Sequence, residues 1–351
     1  MNKASLLNQE IILRIFHQLQ STKQLCTCRA VCKAWSDPAM RELLARRIDI
    51  KSENKAMKLY KYIVANPSQS KHIRHVHFTF DNAVLPLIVT ELLPIVITPN
   101  IRKLTGSVKS DIFFTTLFSI IDKAPLDKLT TLPIYNGYNS GLNLERILKL
   151  KSSTVSLKIT LYNFSSGTLW NFVRQLDQFP KLTTLNIKGY VRNFIELETA
   201  LKRCSHLVTL TIYDFEFKEL PKKGMQIRDF GVWLKCNVKK ELSLKTLKVE
   251  STCCPEFVEY LTYKYPNITS LSFDGKLWHP DGSIAINNGN LDRVLNAVAT
   301  IPSKHFNFII PSQTRMKDAF RFCKSRLEDI QYSLKEYQGK DELVITLEEN
   351  Q

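Results

Sequence analysis

Three closely spaced cysteines, Cys26, Cys28 and Cys32, have side chains that can bind a metal. A structural zinc site normally uses four ligands, commonly in Cys-x2–4-Cys pairs with a second pair downstream. The Cys26-x-Cys28 spacing is too short, and no second pair follows nearby. The chain has eight cysteines in 351 residues, too few for a disulfide scaffold. We therefore predict reduced thiols that pack as small hydrophobic groups, and no metal at these positions.

His72, His75 and His77 form a second candidate metal cluster. On a strand only His75 and His77 share a face, and two ligands do not complete a site. Sequence motifs of catalysis are also missing: there is no Gly-x-Gly-x-x-Gly, Gly-x4-Gly-Lys-Ser/Thr, His-Glu-x-x-His or Gly-x-Ser-x-Gly. We predict a binding protein rather than an enzyme, with neither metal nor cofactor.

The composition is that of an ordinary globular protein, with 44% hydrophobic and 23% charged residues. The length fits two domains or one elongated repeat array. The longest apolar run, 83–97, is interrupted by Pro86, Glu91 and Pro94, and it is too short to span a membrane. No apolar signal-peptide core precedes Glu10. We expect a soluble protein of the cytoplasm or nucleus, with no membrane partner.

The first fifty residues predict three short helices. The first, of about four turns, carries an apolar stripe at three- and four-residue intervals, formed by Leu7, Ile11, Ile12, Ile15, Phe16 and Leu19. A second run covers 25–35, and Pro38 fits the first turn of a third helix that extends to about Arg47. A unit of some forty residues buries little surface by itself. We therefore expect it to be completed by a partner.

The order of residues in this region resembles the F-box. That family pattern opens with Leu-Pro-x-Glu-Ile, continues to an Ile-Phe pair and a Leu, and ends in Val-Cys-Lys-x-Trp. The chain has Leu7-Asn8-Gln9-Glu10-Ile11, then Ile15-Phe16 and Leu19, then Val31-Cys32-Lys33-Ala34-Trp35. Asn8 stands in place of the family's proline, and it can serve as an N-cap at the same helix start.

The resemblance implies docking to the Skp-family adaptor of a cullin–RING ubiquitin ligase. By analogy with the family, the residues on or just behind that interface would be Leu7, Asn8, Glu10, Ile11, Ile15, Leu19, Leu25, Val31 and Trp35. The alternative interpretation is that the apolar stripe is only the core of a helical cap on a larger domain.

A short apolar pattern recurs from residue 70 onward, as in Leu182-x-x-Leu185-x-Ile187 and Leu244-x-x-Leu247-x-Val249. Its second apolar position falls at 76, 104, 132, 157, 185, 210, 247 and 271. All but one of the intervals lie between 24 and 28 residues, within the leucine-rich-repeat range, and the exception is 37. Segments of helical character lie between these strands, at 111–122, 169–178, 193–204, 255–265 and 290–300.

Repeated strand–helix units predict an α/β solenoid, curved, with a concave parallel sheet and convex helices. The arrangement resembles the divergent leucine-rich repeats that follow F-boxes in substrate receptors. We predict an F-box at 1–50, a helical linker and cap at 51–69 with a helix over 52–66, and the solenoid with a carboxy-terminal cap at 70–351. Within that cap, 303–310 and 342–347 alternate as strands, and 316–335 is predicted helical.

Side chains that alternate with the apolar positions would lie on the concave face. The candidate target-binding residues are His75, His77, Lys103, Lys158, Asn186, Lys188, Tyr213 and Lys248, with Trp278 added from a loop. The interruptions at 214–241 and 274–282 are alternative binding loops.

The favoured function is that of a substrate receptor, in which the F-box docks the adaptor and the solenoid holds an unknown protein target. Net charge is +16, from 49 Lys and Arg against 33 Asp and Glu, which also admits a nucleic-acid-binding protein. However, residues 1–61 hold 12 of these cations against 5 acidic residues. By analogy with the F-box family, the Skp-type adaptor that would bind this region is generally acidic. The remaining basic residues do not alternate with aromatic residues as they do in proteins that bind single-stranded nucleic acid. A nucleic-acid partner is therefore disfavoured. A third possibility is an F-box scaffold without ligase function.

Overall fold

Three helices at the amino end are followed by parallel strands that alternate with helices. The structure is a computed structural model, and it describes residues 8–124, 126–135, 146–161, 171–218, 227–251, 254–276, 293–294, 296–298, 301, 303–311, 331–337 and 340–348. The chain divides into two compact units, Met1–Thr154 and Val155–Gln351. Within the described residues, no helix has both the length and the apolar character that a membrane crossing requires.

The amino-terminal helices are α1 (Gln9–Gln18), α2 (Thr22–Val31) and α3 (Lys33–Ala45). The Asn8 side chain accepts a hydrogen bond from the backbone N–H of Glu10 at 3.1 Å, which confirms the predicted N-cap. The helices enclose a small core of Ile12, Phe16, Leu25 and Ala39. This core is separate from the larger core of the same unit.

The third helix begins earlier than predicted. It starts at Lys33, after Cys32 adopts an extended conformation, so the prediction that Pro38 lies in its first turn is wrong. Pro38 interrupts the backbone hydrogen bonding inside the helix. Packing compensates, because Ala39 is buried in the small core and Trp35, one turn before it, packs against Phe16.

The first unit continues with a four-stranded parallel sheet in the order β1-β2-β3-β4. The strands are β1 (Arg47–Ile50), β2 (His75–Phe80), β3 (Lys103–Val108) and β4 (Ile134–Tyr135). The helices are α4 (Glu53–Ala65), α5 (Leu87–Val96) and α6 (Asp111–Lys123), with 3₁₀ turns at Pro67–His72 and Leu148–Leu150. The helices predicted at 52–66 and 111–122 are thus confirmed. Strand β1 is not apparent from the sequence pattern, and it pairs parallel with β2.

One face of this sheet is covered by helices. Val76 and Phe78 of β2 are buried with side chains of the neighbouring helices, among them Leu92 of α5 and Phe113 of α6. The Phe78 and Phe113 rings meet edge to face, with centroids 5.0 Å apart. Leu44 of α3 reaches the same core, so α3 joins the amino-terminal helices to the sheet. The opposite face carries the alternate side chains, which are the predicted binding residues.

The second unit contains an eight-stranded sheet in the order β11-β12-β10-β9-β8-β7-β6-β5. The strands are β5 (Ser156–Leu161), β6 (Thr184–Val191), β7 (Thr209–Phe217), β8 (Thr246–Glu250), β9 (Ser270–Lys276), β10 (Ser303–Pro311), β11 (Gln331–Tyr337) and β12 (Lys340–Glu348). The helices are α7 (Phe194–Leu201), α8 (Ile227–Asn237) and α9 (Pro255–Lys264), with a 3₁₀ turn at Leu176–Gln178.

The repeated leucines of the sequence pattern align across this sheet. Five neighbouring parallel strands place Leu157, Leu185, Leu210, Leu247 and Leu271 opposite one another. In the first unit Val76 likewise lies opposite Leu104. The repeat period therefore sets the register, because a slip by one residue would expose every buried side chain of a strand.

The helices predicted at 193–204 and 255–265 are confirmed, with Pro255 in the first turn as predicted. The described residues of 169–178 include helical and 3₁₀ turns, and those of 290–300 are helical. The interruption at 214–241 is only partly a loop, because α8 forms there and buries Phe230 and Leu234.

The last strands depart from the predicted pattern. β10 pairs parallel with β9, but β12 pairs antiparallel with both β10 and β11. The strands predicted at 303–310 and 342–347 are confirmed. The helix predicted at 316–335 is wrong at 331–335, which belongs to β11, because pairing with β12 outweighs the local helical pattern. Residues 316–330 lie outside the described residues.

A buried ion pair joins two helices of the second unit. Lys264 of α9 has no exposed side-chain surface, and its Nζ lies 3.0 and 2.9 Å from the carboxylate oxygens of Glu198 of α7. The Tyr260 hydroxyl donates to the same carboxylate at 2.7 Å, and Nζ also donates to the Lys239 carbonyl at 3.2 Å. Burial lowers the pKa of Lys264, and the Glu198 carboxylate opposes that shift.

Candidate functional site

The first candidate surface lies on the amino-terminal helices. Ile11 and Ile15 are one turn apart on α1 and are 47% and 48% exposed, and Val31 at the end of α2 is 53% exposed. Ile12 and Phe16, each next in sequence to one of these isoleucines, are buried in the small core. The apolar stripe of α1 is therefore divided between a core side and a solvent side. Apolar residues at helical spacing are the anchors that a helix uses when it binds in the groove of a partner.

The other predicted adaptor residues differ in how deeply their side chains are buried. Glu10 is exposed in the first turn of α1, whereas Leu25 is fully buried and Leu19 is half-buried against the small core. The half-buried Trp35 ring meets the Phe16 ring edge to face, with centroids 5.5 Å apart. Leu25 and Trp35 thus hold the helices in place rather than forming the exposed surface. Leu7 lies outside the described residues.

Arg46, which no sequence pattern singles out, fixes the end of α1. Its guanidinium donates to the carbonyls of Gln20 at 2.9 Å and Phe16 at 3.4 Å, makes a short contact with the carbonyl of Leu19, and lies 3.5 Å from the Glu42 carboxylate. A cation at this position satisfies unpaired carbonyls and favours the negative end of the helix dipole. No local pattern reveals this role, because Arg46 lies 30 residues from Phe16.

The second candidate surface is the uncovered face of the first sheet. The Thr105 hydroxyl lies 2.8 Å from Nε2 of His75 and 3.0 Å from Nδ1 of His77. Burial, followed by nearby cations, lowers the pKa of both histidines, and the cations include Lys103 for His75 and Arg47 for His77. Neutral imidazoles with a shared hydroxyl suit hydrogen bonding to a polar partner. Among the described residues, no group of three or more metal-ligating side chains is present.

The third candidate surface is the face of the second sheet opposite the aligned leucines. Lys158, Asn186, Thr211 and Lys248 align across β5 to β8, and the row two residues further along includes Lys188 and Tyr213. The structure therefore brings together the five predicted residues Lys158, Asn186, Lys188, Tyr213 and Lys248. Trp278 lies outside the described residues.

Tyr213 lies at the centre of the cationic groups on this face. The Nζ of Lys158 is 4.2 Å from the centroid of its ring, and that of Lys188 is 5.7 Å away. Lys188 also forms an ion pair of 2.8 Å with Asp214. Burial, and then the charge of Lys188, lowers the pKa of Lys158. Attraction between each ammonium group and the ring face holds these side chains together on the sheet surface.

Part of the chain matches a known protein family. Residues 9–51 match the F-box-like family, a range that contains α1, α2, α3 and β1. The match supports an F-box protein, and such domains bind Skp-family adaptors and typically serve as substrate adaptors rather than enzymes. A search of curated proteins finds no match to this chain. The F-box-like domain suggests an adaptor-binding role in ubiquitin ligase complexes.

Proposed function

We propose that this chain is the substrate-recognition subunit of an SCF-type ubiquitin ligase. The amino-terminal helices bind a Skp-family adaptor, and through it a cullin–RING ligase. The uncovered sheet faces of the leucine-rich repeats bind a protein target. The observation that carries the proposal is the exposed apolar surface of Ile11, Ile15 and Val31 within the F-box-like domain.

Two further observations support the repeat and target-binding parts of the proposal. The aligned leucines of β5 to β9 are what stacked leucine-rich repeats require. The side chains on the opposite face are polar or charged, among them Lys158 and Lys248, and Lys248 forms an ion pair with Glu250. Such a receptor carries out no chemistry, and it acts by raising the concentration of the target beside the ubiquitin-charged enzyme.

The test is capture of a Skp-family adaptor by the full-length chain. We expect the double variant Ile11→Asp/Ile15→Asp to weaken adaptor binding at least about 100-fold. Half of each isoleucine remains to be buried, and each new carboxylate would be desolvated without a partner. Because both side chains already face solvent, the variant is expected to keep its helices, which circular dichroism checks.

The matched control is Leu87→Asp/Ile112→Asp, which changes two exposed apolar residues on α5 and α6 of the same unit. We expect this control to bind the adaptor as the wild type does. Undiminished adaptor capture by the α1 variant would refute the proposed interface. The ligase role is tested in cells that express either the wild-type chain, the α1 variant or no chain. We expect the target protein to accumulate when the chain is lost and when α1 is altered.

A further inference from the structure

A groove of about 400 Å³ lies in the second unit, between α8, α9 and the helical residues at 296–298. Leu234, Tyr265 and Ile301 line it with side chains that are almost fully buried, and Tyr263 and Pro266 line it with more exposed apolar surface. The candidate surfaces described above do not include these residues. The groove is therefore a separate apolar site on the helices.

Gly231 lines this groove from the middle of α8. Glycine is less favourable inside a helix than any residue except proline. A Cβ added to Gly231 would meet nothing within 4 Å outside its own stretch of helix, so packing within the described residues does not require a glycine. A helix position without a side chain allows another backbone or ligand to approach closely. Gly231 thus keeps space open at a cost in helix stability.

Apolar surface continues beyond the groove. Val232, next to Gly231, is 59% exposed, and Leu242 is 60% exposed. The Asn267 amide donates to the Leu242 carbonyl at 3.1 Å, which places Leu242 beside Pro266 of the groove. An apolar groove with adjoining exposed apolar residues is the arrangement that receives the apolar face of a helix.

Two lysines give the groove a positive rim. Lys235 is exposed and lies one turn from Gly231 on the same side of α8. The Nζ of Lys240, another exposed residue, is 4.8 Å from the centroid of the Tyr263 ring that lines the groove. Within the described part of the chain, neither lysine forms an ion pair. Both ammonium groups are thus available to an acidic partner.

The carboxylate at the groove is already neutralised. Glu259 lines it, and both of its carboxylate oxygens accept hydrogen bonds of 2.7 Å from the guanidinium of Arg293. Among the described lining residues there is no other carboxylate. An incoming chain therefore meets a positive field and apolar walls, and it is not repelled by a free negative charge at the groove.

We propose that this groove binds an amphipathic helix of a partner protein, with leucine-type anchors at helical spacing and acidic residues beside them. The anchors fill the apolar groove, Gly231 admits the backbone of the incoming helix, and Lys235 and Lys240 pair with its carboxylates. The net charge of +16 disfavours a second copy of this chain as the occupant. The partner is a third protein besides the adaptor and the target, and the proposal does not depend on the ligase role.

The test uses the full-length chain and a fluorescein-labelled, amidated peptide, Glu-Ala-Leu-Glu-Ala-Leu-Leu-Glu-Ala-Leu-Glu-Glu, in fluorescence anisotropy titrations at physiological salt. Its leucines lie on one helical face, and its glutamates supply the acidic residues. We expect a dissociation constant of about 100 µM or tighter. Two control peptides should bind at least about tenfold more weakly: one has serine in place of every leucine, and the other has lysine in place of every glutamate.

Variants of the chain locate the binding site. Gly231→Leu places a side chain in the open space and favours the helix, so it should fold, as circular dichroism checks, and weaken peptide binding at least about tenfold. Lys235→Gln/Lys240→Gln should weaken binding about fivefold and reduce its dependence on salt. The matched controls Thr115→Leu, exposed on α6, and Lys55→Gln/Lys58→Gln, exposed on α4, should bind within about twofold of the wild type.

The proposal is overturned if the wild-type chain does not bind the peptide, if Gly231→Leu binds it undiminished, or if the control variants lose as much affinity. Light scattering checks the alternative occupant: self-association that Gly231→Leu abolishes would assign the groove to a second copy. Adaptor capture is measured on the same proteins, and we expect Gly231→Leu to retain the adaptor. A chain that binds the peptide but no adaptor would refute the proposed function and leave the groove proposal standing.

Discussion

Replacing Lys264 with methionine removes the cation that neutralises the buried Glu198 carboxylate. The methionine side chain is similar in length, so the change leaves no large cavity. The Tyr260 hydroxyl still donates to the carboxylate, but one neutral donor does not compensate a charge that is 5% exposed. Removing one partner of a buried ion pair typically costs about 3–5 kcal/mol of unfolding free energy. We expect a value near the lower limit, about 3 kcal/mol, because the tyrosine contact persists.

The measurement is hydrogen exchange followed by mass spectrometry on peptides from α7 and α9. Local exchange is preferable to a single melting curve, because a chain with two units need not unfold in one step. In a melting experiment the same loss would lower the unfolding temperature of the second unit by about 10 °C. The control is Lys264→Met/Glu198→Gln, whose neutral amide still accepts from Tyr260. We expect it to recover most of the loss.

The reasoning would be refuted if Lys264→Met cost less than about 1 kcal/mol, or if the double variant were no more stable than the single one. The first result would mean that Glu198 becomes protonated or reaches solvent without difficulty. The second would mean that the loss comes from packing around residue 264 rather than from the uncompensated carboxylate.

Two other changes test the first unit. Gly106 has φ +99°, and an added Cβ would approach the Phe78 carbonyl oxygen to 1.9 Å. Gly106→Ala should therefore lower the unfolding free energy by about 3 kcal/mol in urea unfolding. The control Gly231→Ala adds a methyl group to open space on a helix, so it should be neutral or stabilising in the same assay. Because burial and Lys103 depress the pKa of His75 below its usual 6.5, the unfolded chain takes up the proton first, and stability should fall as the pH falls below about 6.5. His75→Gln should reduce that loss in urea titrations between pH 7.5 and 5.5, and an unchanged pH profile would contradict the assignment.

The strand positions could be predicted from the sequence because they follow a local, repeated pattern. Leu185 and Leu247 lie opposite their neighbours in the register that the repeat requires. The N-cap at Asn8 was equally predictable, since it depends on a contact two residues away. Features of this kind depend on short sequence separations or on a constant period.

The features that were missed depend on distant residues. β1 is four residues long, and only its pairing with β2 makes it a strand. Glu198 and Lys264 are 66 residues apart, so neither pattern nor composition indicates their pairing. Lys71 and Lys128 are likewise distant in the sequence, yet they line one cleft because successive strands stack side by side.

The division of the first unit into a small and a large core has a consequence for the lifetime of the protein. α1 and α2 contribute to the core of Ile12, Phe16, Leu25 and Ala39, while the sheet is held by the larger core. A cooperative unit with so little buried surface opens more often than its neighbours. If the chain acts as proposed, a bound adaptor would suppress that opening, because it binds only the closed form. A receptor without its adaptor would then be the form most accessible to proteases, and the supply of adaptor would set how much receptor persists.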